Sequence, residues 1–368
     1  MSDTSKILVL GAYGLAGRAI VEQLCRTAQQ TVVASGRRWE RLRQEFGERL
    51  ETLELDATDA AQLRRACAAA AVVINAVGPF ARNGADIART VIDCGRHYVD
   101  CANEQVHYER LRELHAAARS AGTLLVTGAG VVPGISTLLA GDLLAHHGAA
   151  AAVDIMWAQL CHAYPDGGKA TVMGGVLDTV YRPFCIREGK RIAVRLGDSW
   201  RTAELPPPFG SRQLLEVPTL DVPVLAERAA LREVRTWAYV TPQPRWVFAV
   251  IRLLNPAKRP IIYRLIDRVA DRVTRAEFAR ATKQGLGREV LLRVSVSGAE
   301  RTLGATLHFT DGAAPTAVLP ARIAGDLARG TIEQRGLMTP LDLYRFEDVR
   351  EEFRHCLLRG DIDGASVL

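Results

Sequence analysis

The chain has 368 residues, of which 48% are hydrophobic, and it carries a formal net charge of +6. This length accommodates two domains with full hydrophobic cores. The basic residues form no Lys/Arg run and no aromatic platform. The charge is therefore typical of a protein that binds phosphorylated cofactors or acidic ligands and gives no indication of nucleic-acid binding.

The sequence also gives predictions about the cellular compartment and about metal binding. We expect no signal segment, because the first five residues are polar, and no stretch approaches the ~20 apolar residues that span a bilayer. The seven cysteines lack CxxC spacing, which predicts reduced thiols in a cytoplasmic protein. The eight histidines form no HxH or HExxH pattern, so we expect no metal site.

A strand, a glycine turn and a helix open the chain. Lys6–Leu10 has the pattern of a buried strand, and Gly11–Gly17 follows with GxxGxxG spacing at the start of an amphipathic helix. Gly11 permits a sharp turn, Gly14 lets the backbone approach phosphates, and Gly17 lets the helix pack closely on the sheet. Because the first amides of a helix attract anions, we predict a dinucleotide pyrophosphate site. A purely structural turn is the alternative.

The second strand predicts which dinucleotide is bound. Thr31–Ser35 ends in Gly36, Arg37 and Arg38, without the acid that would hold the ribose 2′-hydroxyl of NAD. Guanidinium groups suit a 2′-phosphate. The sequence therefore favours NADPH over NAD, with solvated loop arginines as the alternative.

The next two strand ends complete the predicted nucleotide site. Leu53–Leu55 ends at Asp56, which is expected near the adenine, although it could instead cap the following helix. Val72–Ile74 runs into a small-residue segment with Gly78-Pro79, where the backbone can pass close to the nicotinamide ribose. Ligands bind at this edge of an open parallel sheet.

The organisation of the chain changes near residue 150. Strand and helix alternate over residues 1–150, which predicts a doubly wound parallel Rossmann sheet. Residues 151–320 are expected to form an α+β substrate domain with an antiparallel sheet. Residues 321–368 are expected to return as helices to the first domain. The predicted elements of the later part are strands at 152–160, 191–194, 232–240, 290–296 and 305–309, and helices opening at 167–171 and spanning 320–328.

One segment of the later part is both apolar and basic. Arg245–Val273 combines a run of large apolar residues with several cations. Such a stretch is typical of a lid or of a helix in a homodimer. It is also compatible with docking on a membrane surface or on an acidic carrier protein.

Five blocks of the first 150 residues carry a family pattern. They are GAYGLAG at 11–17, SGRR at 35–38, VVINAVGPFARNG at 72–84, CGRHYVDCANE at 94–104 and GAGVVPGIS at 128–136. Together they resemble the saccharopine dehydrogenase-like oxidoreductases. The later blocks GGKATVMGG at 167–175, LREVRTW at 231–237 and GLMTPLDL at 336–343 are more similar to the branch called trans-acting enoyl reductases. The resemblance implies a Rossmann domain carrying NAD(P), an α/β substrate domain and an active site in the cleft between them.

The resemblance also implies roles for residues at matching positions. The residues implied to line the pyrophosphate are Gly11, Tyr13, Gly14 and Leu15. Those implied for the 2′-phosphate are Arg37 and Arg38, and those for the adenine are Asp56 and Ala57. The nicotinamide side is implied to be formed by Ala76, Val77, Gly78 and Pro79.

The substrate side departs from the family pattern at one position. The loops implied to face a small-molecule substrate contain Cys101 and Glu104, and Val132, Pro133 and Gly134. Saccharopine-forming relatives carry an acid where this chain has Val132. The difference disfavours an amino-acid substrate and favours a less polar one.

The proton donor is left open by the sequence. The candidates are Tyr98, Cys101 and Glu104, with His97 beside them. Tyr98 and Cys101 could equally be core residues, and Glu104 could simply stabilise the start of a helix. No tyrosine has a lysine four residues later, which disfavours the short-chain dehydrogenase mechanism.

Three functions remain compatible with these observations. The leading hypothesis is an NADPH-dependent reductase of a C=C or C=N bond in a moderately apolar substrate, in secondary or lipid metabolism. The second is opine-type chemistry that joins an amino acid to a keto acid. The third is a non-catalytic NADP sensor or scaffold.

Overall fold

The computed structural model of the protein describes residues 6–160, 182–195, 197–239 and 287–366, and single helical positions between residues 253 and 283. The strands are, in chain order, β1 (Lys6–Leu10), β2 (Val32–Gly36), β3 (Glu51–Glu54), β4 (Ala70–Asn75), β5 (His97–Asp100), β6 (Leu124–Val126), β7 (Ala152–Gln159), β8 (Phe184–Arg187), β9 (Lys190–Ala193), β10 (Trp200–Leu205), β11 (Gly210–Glu216), β12 (Glu233–Tyr239), β13 (Val290–Ser297), β14 (Thr302–Phe309), β15 (Gly336–Met338), β16 (Leu357–Ile362) and β17 (Ala365–Ser366).

Helices connect these strands. The continuous α-helices of the described residues are α1 (Leu15–Thr27), α2 (Trp39–Phe46), α3 (Ala60–Cys67), α4 (Phe80–Asp93), α5 (Gln105–Arg112), α6 (His115–Ser120), α7 (Ile135–His147), α8 (Asp221–Ala226), α9 (Ala313–Arg329) and α10 (Phe346–Val349). Two short 3₁₀ turns follow α9, at Pro340–Asp342 and Arg350–Phe353.

The first compact unit contains residues 1–138 and 313–353. Its sheet has seven parallel strands in the order β15-β6-β5-β4-β1-β2-β3. Helices α3, α4 and α5 pack in sequence with one another, while α9 packs on α1 and against β4 and β5. The inner strands are almost wholly buried runs of aliphatic residues, as expected for a parallel sheet covered on both faces. The predicted doubly wound Rossmann fold is therefore confirmed.

Strand register brings the ends of three neighbouring strands level. Leu10 of β1 pairs with Asn75 of β4, and Asn75 pairs with Asp100 of β5. Val99 pairs with Val126 of β6, which places Thr127 beside Asp100. The loops that follow β1, β4, β5 and β6 therefore leave the sheet at one edge, which is where ligands bind in this class of fold.

The second compact unit contains residues 139–312 and 354–368. The main path of its sheet runs β10-β11-β12-β7-β13-β14-β16-β17, and β8 pairs with β12 and β9. Most neighbours are antiparallel, as predicted, but β7 and β12 are parallel, so the sheet is mixed. The sequence pattern of a strand does not reveal the direction of its partner when long insertions separate the two.

The unit boundaries lie earlier in the chain than the predicted domain boundaries. The first unit ends at Leu138, within α7. The predicted boundary lies later, because the alternation of strands and helices does not distinguish the last helix of one domain from the first helix of the next. Helix α9 begins at Ala313 and contains Pro320, although proline is most easily placed at a helix start. Residues 313–353 belong to the first unit, whereas 354–368 belong to the second.

The helix predicted to open at 167–171 lies outside the described residues. In the part of the chain that the structure describes, no helix combines the length and apolar character needed to cross a bilayer. The described cysteines form no disulfide with one another.

Candidate nucleotide and reaction site

The glycine loop after β1 forms a cradle for phosphate groups. Gly11 has φ +74°, and the Gly14 amide donates to the Gly11 carbonyl at 2.9 Å. A Cβ on Gly17 would lie 2.2 Å from the Gly11 oxygen, so only glycine allows α1 to start this close to the strand. Gly14 is the N-cap of α1 and no side chain caps the helix. The first turn therefore presents its amides and its positive dipole end to an anion.

The glycine loop lies directly beside the loop after β4. A Cβ on Gly11 would approach the Val77 side chain to 3.0 Å, and the Ala76 amide donates to the Leu10 carbonyl at 3.0 Å. The Val77 amide in turn donates to the Asn75 side chain at 2.9 Å. The structure thus brings together the predicted pyrophosphate residues and the first residues of the predicted nicotinamide side.

Arg37, Glu54, Asp56 and Gln62 line a cavity of about 400 Å³ beyond the end of β2. Arg37 and Arg38 are both exposed. A 2′-phosphate placed here would meet the Arg37 guanidinium beside the carboxylates of Glu54 and Asp56. The position of these groups fits the adenosine end of NADPH.

Asp56 shapes the rim of this cavity through its own turn. Its carboxylate accepts from the Thr58 hydroxyl at 2.7 Å and from the Thr58 amide at 2.9 Å. These hydrogen bonds lower the pKa of Asp56, so it stays ionised. Asp59, not Asp56, is the N-cap of α3, where it accepts from the amides of Ala61 and Gln62. Ala57 is buried in the hydrophobic core of this unit.

Tyr13 and Leu15 occupy different surroundings in the glycine loop. The Tyr13 ring lies against Gly36, where an added Cβ would be 2.3 Å from the ring. Arg41 of α2 lies over the same ring at 5.9 Å from its centroid. Tyr13 therefore bridges the glycine loop and the end of β2, whereas Leu15 is 41% exposed at the first position of α1.

We call the region at the ends of β4, β5 and β6 the reaction side. It contains a buried, hydrogen-bonded pair of side chains, one on β4 and one on β5. The Asn75 side chain donates to the Tyr98 hydroxyl at 3.0 Å, and both residues are 0% exposed. Burial and the neighbouring Asp100 raise the pKa of Tyr98, so the phenol stays protonated. Tyr98, a predicted proton-donor candidate, is part of the hydrophobic core of this unit. This environment favours the structural alternative for Tyr98.

Asp100 joins three segments at the end of β5. One carboxylate oxygen, Oδ1, accepts from the Ala102 amide, the Thr127 hydroxyl and the Gly128 amide, at 3.0, 2.7 and 3.2 Å. The other, Oδ2, lies 2.7 Å from His107 Nε2. Burial alone would raise the pKa of Asp100, but His107 and these donors hold it below its ordinary value. Asp100 is thus an ionised, fully buried hub.

His107 connects this hub to helix α4. Its ring is 0% exposed and lies 5.6 Å from the Phe80 ring, centroid to centroid. A Cβ on Gly84 of α4 would lie 2.5 Å from His107 Cε1. The second ring nitrogen, Nδ1, has no hydrogen-bond partner among the described residues. Because a carboxylate oxygen only accepts, Nε2 carries the proton of the hydrogen bond to Asp100.

Glu104 is the buried acid of the reaction side. Its carboxylate accepts from the Phe80 amide at 3.3 Å and the Asn103 amide at 3.0 Å, and the residue is the N-cap of α5. Burial raises the pKa of Glu104, and the nearby His107 offsets part of this effect. A carboxyl group in such surroundings holds its proton to higher pH than an exposed glutamate.

Cys101 lies between Asp100 and the loop after β6. Burial and the neighbouring acids Asp100 and Glu104 raise the pKa of the Cys101 thiol to about 12. Its Cβ would be 3.7 Å from a Cβ placed on Gly130. The thiol is therefore a poor thiolate nucleophile.

The loop that contains the predicted substrate residues is closed on itself. The Gly130 amide donates to the Pro133 carbonyl at 3.0 Å, and the Ile135 amide donates back to the Gly130 carbonyl at 3.0 Å. Gly134 has φ +117°, and a Cβ there would lie 2.2 Å from the Gly130 oxygen. Val132 is partly exposed at the tip, whereas Pro133 and Gly134 are buried.

Sequence reasoning missed the residues that hold this region together. His107, Asn75 and Thr127 were not assigned a role, and Asp100 was noted only as part of a motif. The available signal was the spacing of Glu104 and His107, which are three residues apart and therefore neighbours on one side of a helix start. Among the described residues, no group of three or more His, Cys, Asp or Glu side chains could hold a metal ion.

Comparison with protein families identifies the first unit. Residues 7–126 match the family described as saccharopine dehydrogenase NADP binding domain. A relative from Arabidopsis thaliana, a probable mitochondrial saccharopine dehydrogenase-like oxidoreductase, is 28% identical over 141 residues. That match covers 34% of this chain and spans 31% of the length of the relative.

Solved structures resemble this chain over nearly its full length. The saccharopine dehydrogenase (L-Glu forming) of Saccharomyces cerevisiae superposes with a TM-score of 0.64 at 15% identity, covering 97% of this chain and 99% of that one. The homospermidine synthase of Legionella pneumophila, in complex with NAD, gives a TM-score of 0.60 at 11% identity, with 98% and 92% covered. At these identities the likeness establishes a shared fold.

Proposed function

We propose that the protein is an NADPH-dependent oxidoreductase, because its residues 7–126 match the saccharopine dehydrogenase NADP binding domain. We propose further that it reduces a C=C or C=N bond in a moderately apolar substrate. The observation that carries the proposal is the position of exposed Arg37 on the cavity with Asp56, at the end of the strand whose Ser35 pairs with Leu10, the residue before the glycine loop.

The chain's own groups suit each part of the dinucleotide. The amides at the start of α1 would hold the pyrophosphate, and Arg37 and Arg38 would hold the 2′-phosphate. Small residues from Ala76 to Pro79 would allow close approach of the nicotinamide ribose. When bound, NADPH supplies a hydride.

Glu104 is the proton donor that we propose. Reduction of a C=C or C=N bond places the hydride on one atom and needs a proton on the other. An efficient donor has a pKa near the working pH. Burial raises the pKa of Glu104 towards that range. The pKa of Cys101, about 12, makes its thiol too weak an acid, and Tyr98 is buried in the hydrophobic core. Asp100 and His107 would position Glu104 through the start of α5.

Val132 supports the apolar character of the substrate. It stands partly exposed at the tip of a loop whose backbone is fixed by hydrogen bonds at Gly130 and Gly134. A valine at this position offers no charge to an ammonium or carboxylate group of a substrate.

A turnover screen tests the proposed reaction. Purified protein is incubated with NADPH and, in separate arms, α,β-unsaturated acyl thioesters, cyclic or aliphatic imines, and pairs of an amino acid with a keto acid. Oxidation of NADPH with one of the first two classes is the expected result. Turnover only with amino acid and keto acid pairs would replace the proposal with opine-type chemistry. NADPH binding without any turnover would favour a sensor.

The role of Glu104 is tested with two variants of similar size. Glu104→Gln should lower kcat by at least about a hundredfold, because general acid catalysis contributes about 10²–10⁴ in rate. It should also remove the high-pH limb of the kcat profile. Cys101→Ser should retain most of the activity, and its kcat profile should keep the high-pH limb. If Cys101→Ser removed that limb while Glu104→Gln kept it, the donor would be Cys101.

A further inference from the structure

The most exposed large apolar side chains in the described residues occur in one part of the chain. Leu253 and Ile261 are each 83% exposed, Leu265 is 61% exposed and Val269 is 51% exposed. The other exposed large apolar residues reach at most 46%, at Leu358. Removing an aliphatic side chain of this size from water is favourable, so several of them exposed in one part of the chain mark a contact surface.

Three of these side chains share one side of helical structure with two arginines. Ile261, Leu265 and Val269 occupy helical positions at steps of four residues, which face the same direction on an α-helix. Arg268 and Arg272 are helical, exposed and three residues beyond Leu265 and Val269, so their side chains flank the apolar ones. We call these five residues the 261–272 face.

The sequence around these positions carries most of the net charge of the chain. Residues 245–284 contain ten Lys and Arg against three Asp and Glu, a formal charge of +7 in a chain whose total is +6. The remainder of the chain is therefore close to neutral. A concentration of like charge next to aliphatic residues attracts an anionic surface over about a Debye length and then allows apolar insertion.

The chemistry of the face favours a lipid surface over a protein partner. Protein interfaces draw most of their binding energy from a few aromatic or arginine anchors in fitted pockets. The 261–272 face instead combines aliphatic side chains with flanking cations, the pattern of helices that lie in the interface of a bilayer. Both contributions are non-directional, and an anionic leaflet offers both at once.

We propose that the 261–272 face docks the protein on the surface of an anionic phospholipid bilayer, with Ile261, Leu265 and Val269 entering the headgroup boundary and Arg268 and Arg272 contacting phosphate groups. The inference is independent of the proposed reaction, since it uses none of the residues of the nucleotide and reaction site. Membrane docking would give a reductase access to apolar substrates that partition into lipid.

Vesicle co-sedimentation of the full chain tests the docking. Vesicles of phosphatidylcholine alone are compared with vesicles of equal parts phosphatidylcholine and phosphatidylglycerol, at low and high salt. The wild type should bind the anionic vesicles and release them as salt rises. Arg268→Gln with Arg272→Gln should weaken binding about thirtyfold, because each cation near an anionic leaflet contributes roughly fivefold. Ile261→Gln, Leu265→Gln and Val269→Gln together should weaken it at least about tenfold.

Matched control variants test whether vesicle binding depends on the 261–272 face or on any exposed apolar or cationic side chain. Ile192→Gln with Leu358→Gln removes exposed apolar groups elsewhere, and Arg64→Gln with Arg65→Gln removes two exposed cations from α3; both double variants should bind like the wild type. NADPH binding, measured on every variant, shows that the nucleotide domain remains folded.

Three results would overturn the proposal. One is binding that is absent or is equal on neutral and anionic vesicles. Another is a face variant that binds vesicles normally but changes the oligomeric state, which would assign the face to a second copy of the chain. The third is capture by an acidic carrier protein, lost in the face variants, with no vesicle binding.

Discussion

The two halves of the sheet edge in the first unit are built differently. The loops after β1, β2 and β3 present backbone amides and exposed side chains such as Arg37 and Arg38. At the ends of β4, β5 and β6 the polar side chains Asn75, Asp100 and Thr127 are buried, and hydrogen bonds tie this half together, among them those from Asp100 to Thr127 and His107. One half is prepared for a ligand that arrives from solvent. The other is a fixed internal framework.

This contrast explains which functional features are easily recognised. A phosphate site needs glycines and cations at fixed distances along one loop, which are visible in the sequence. A framework such as that around Asp100 depends on residues from three loops that meet only in the folded sheet. The cofactor is therefore easier to assign than the residues that support the chemistry.

The largest expected effect comes from breaking the framework at Asp100. In Asp100→Asn the amide group cannot accept from all the donors that now meet the carboxylate, and a buried polar group is left unpaired. We expect a loss of about 3 kcal/mol in the free energy of unfolding, measured by urea denaturation. Thr127→Val, which removes a single donor, should cost about 1 kcal/mol. Equal losses in the two variants would show that Asp100 is not a hub.

The difference in stability between the wild type and Asp100→Asn should depend on pH. Because the folded state lowers the pKa of Asp100, its contribution to stability is fully present above the unfolded aspartate pKa of ~3.9 and is lost as pH falls through the folded value. The stability difference between wild type and Asp100→Asn should therefore shrink on acidification. A difference that grew towards low pH would contradict the ionised state of Asp100.

The exposed half is probed by Arg37→Ala with Arg38→Ala. Two charge-assisted contacts to a 2′-phosphate contribute together about 3 kcal/mol or more, so the dissociation constant for NADPH should rise by at least about a hundredfold. NADH binding should change little. Arg64→Ala on α3, which removes an exposed cation away from the cavity, is the control. Equal weakening of NADPH and NADH in the double variant would place the 2′-phosphate elsewhere.

Gly84→Ala tests the packing of α4 against the framework. The new Cβ would lie 2.5 Å from the His107 ring, so we expect a loss of about 1–2 kcal/mol in stability. Gly325→Ala, in the interior of α9, meets only the flexible end of Arg329 at 3.3 Å and should be neutral or stabilising, as alanine favours helix. Thermal unfolding of both variants measures the difference. A stable Gly84→Ala protein would indicate that His107 can move freely.

The smallest expected effect concerns Glu104. Because the folded state raises its pKa, the wild type loses stability relative to Glu104→Gln as pH rises from the unfolded glutamate value of ~4.3 through the folded value. Glu109→Gln, an exposed position on α5, should show no such pH-dependent difference from wild type. A difference between wild type and Glu104→Gln that stays constant with pH would contradict the raised pKa.

The sequence allowed much of the fold and the cofactor to be predicted. The glycine spacing and the buried aliphatic strands predicted the Rossmann sheet. The family match over residues 7–126 agrees with the predicted resemblance and with the predicted NADP cofactor. The parallel pairing of β7 with β12 was not predictable, because local periodicity carries no information on the direction of distant partners.

The framework residues were missed for a related reason. His107 lies on a helix and Thr127 after a strand, and nothing in their local sequence indicates that both bind Asp100. Tyr98 was a donor candidate by residue type, but its place in the hydrophobic core depends on packing that the sequence does not specify. Long-range contacts of this kind require the folded chain.

Calorimetric titration of the wild-type protein with NADPH and with NADH tests the central claim most directly. If Arg37 and Arg38 hold a 2′-phosphate at the edge of the glycine loop, NADPH should bind at least about tenfold more tightly than NADH, and more weakly as salt rises. Equal affinity for the two cofactors, tighter binding of NADH, or no binding of either would contradict it.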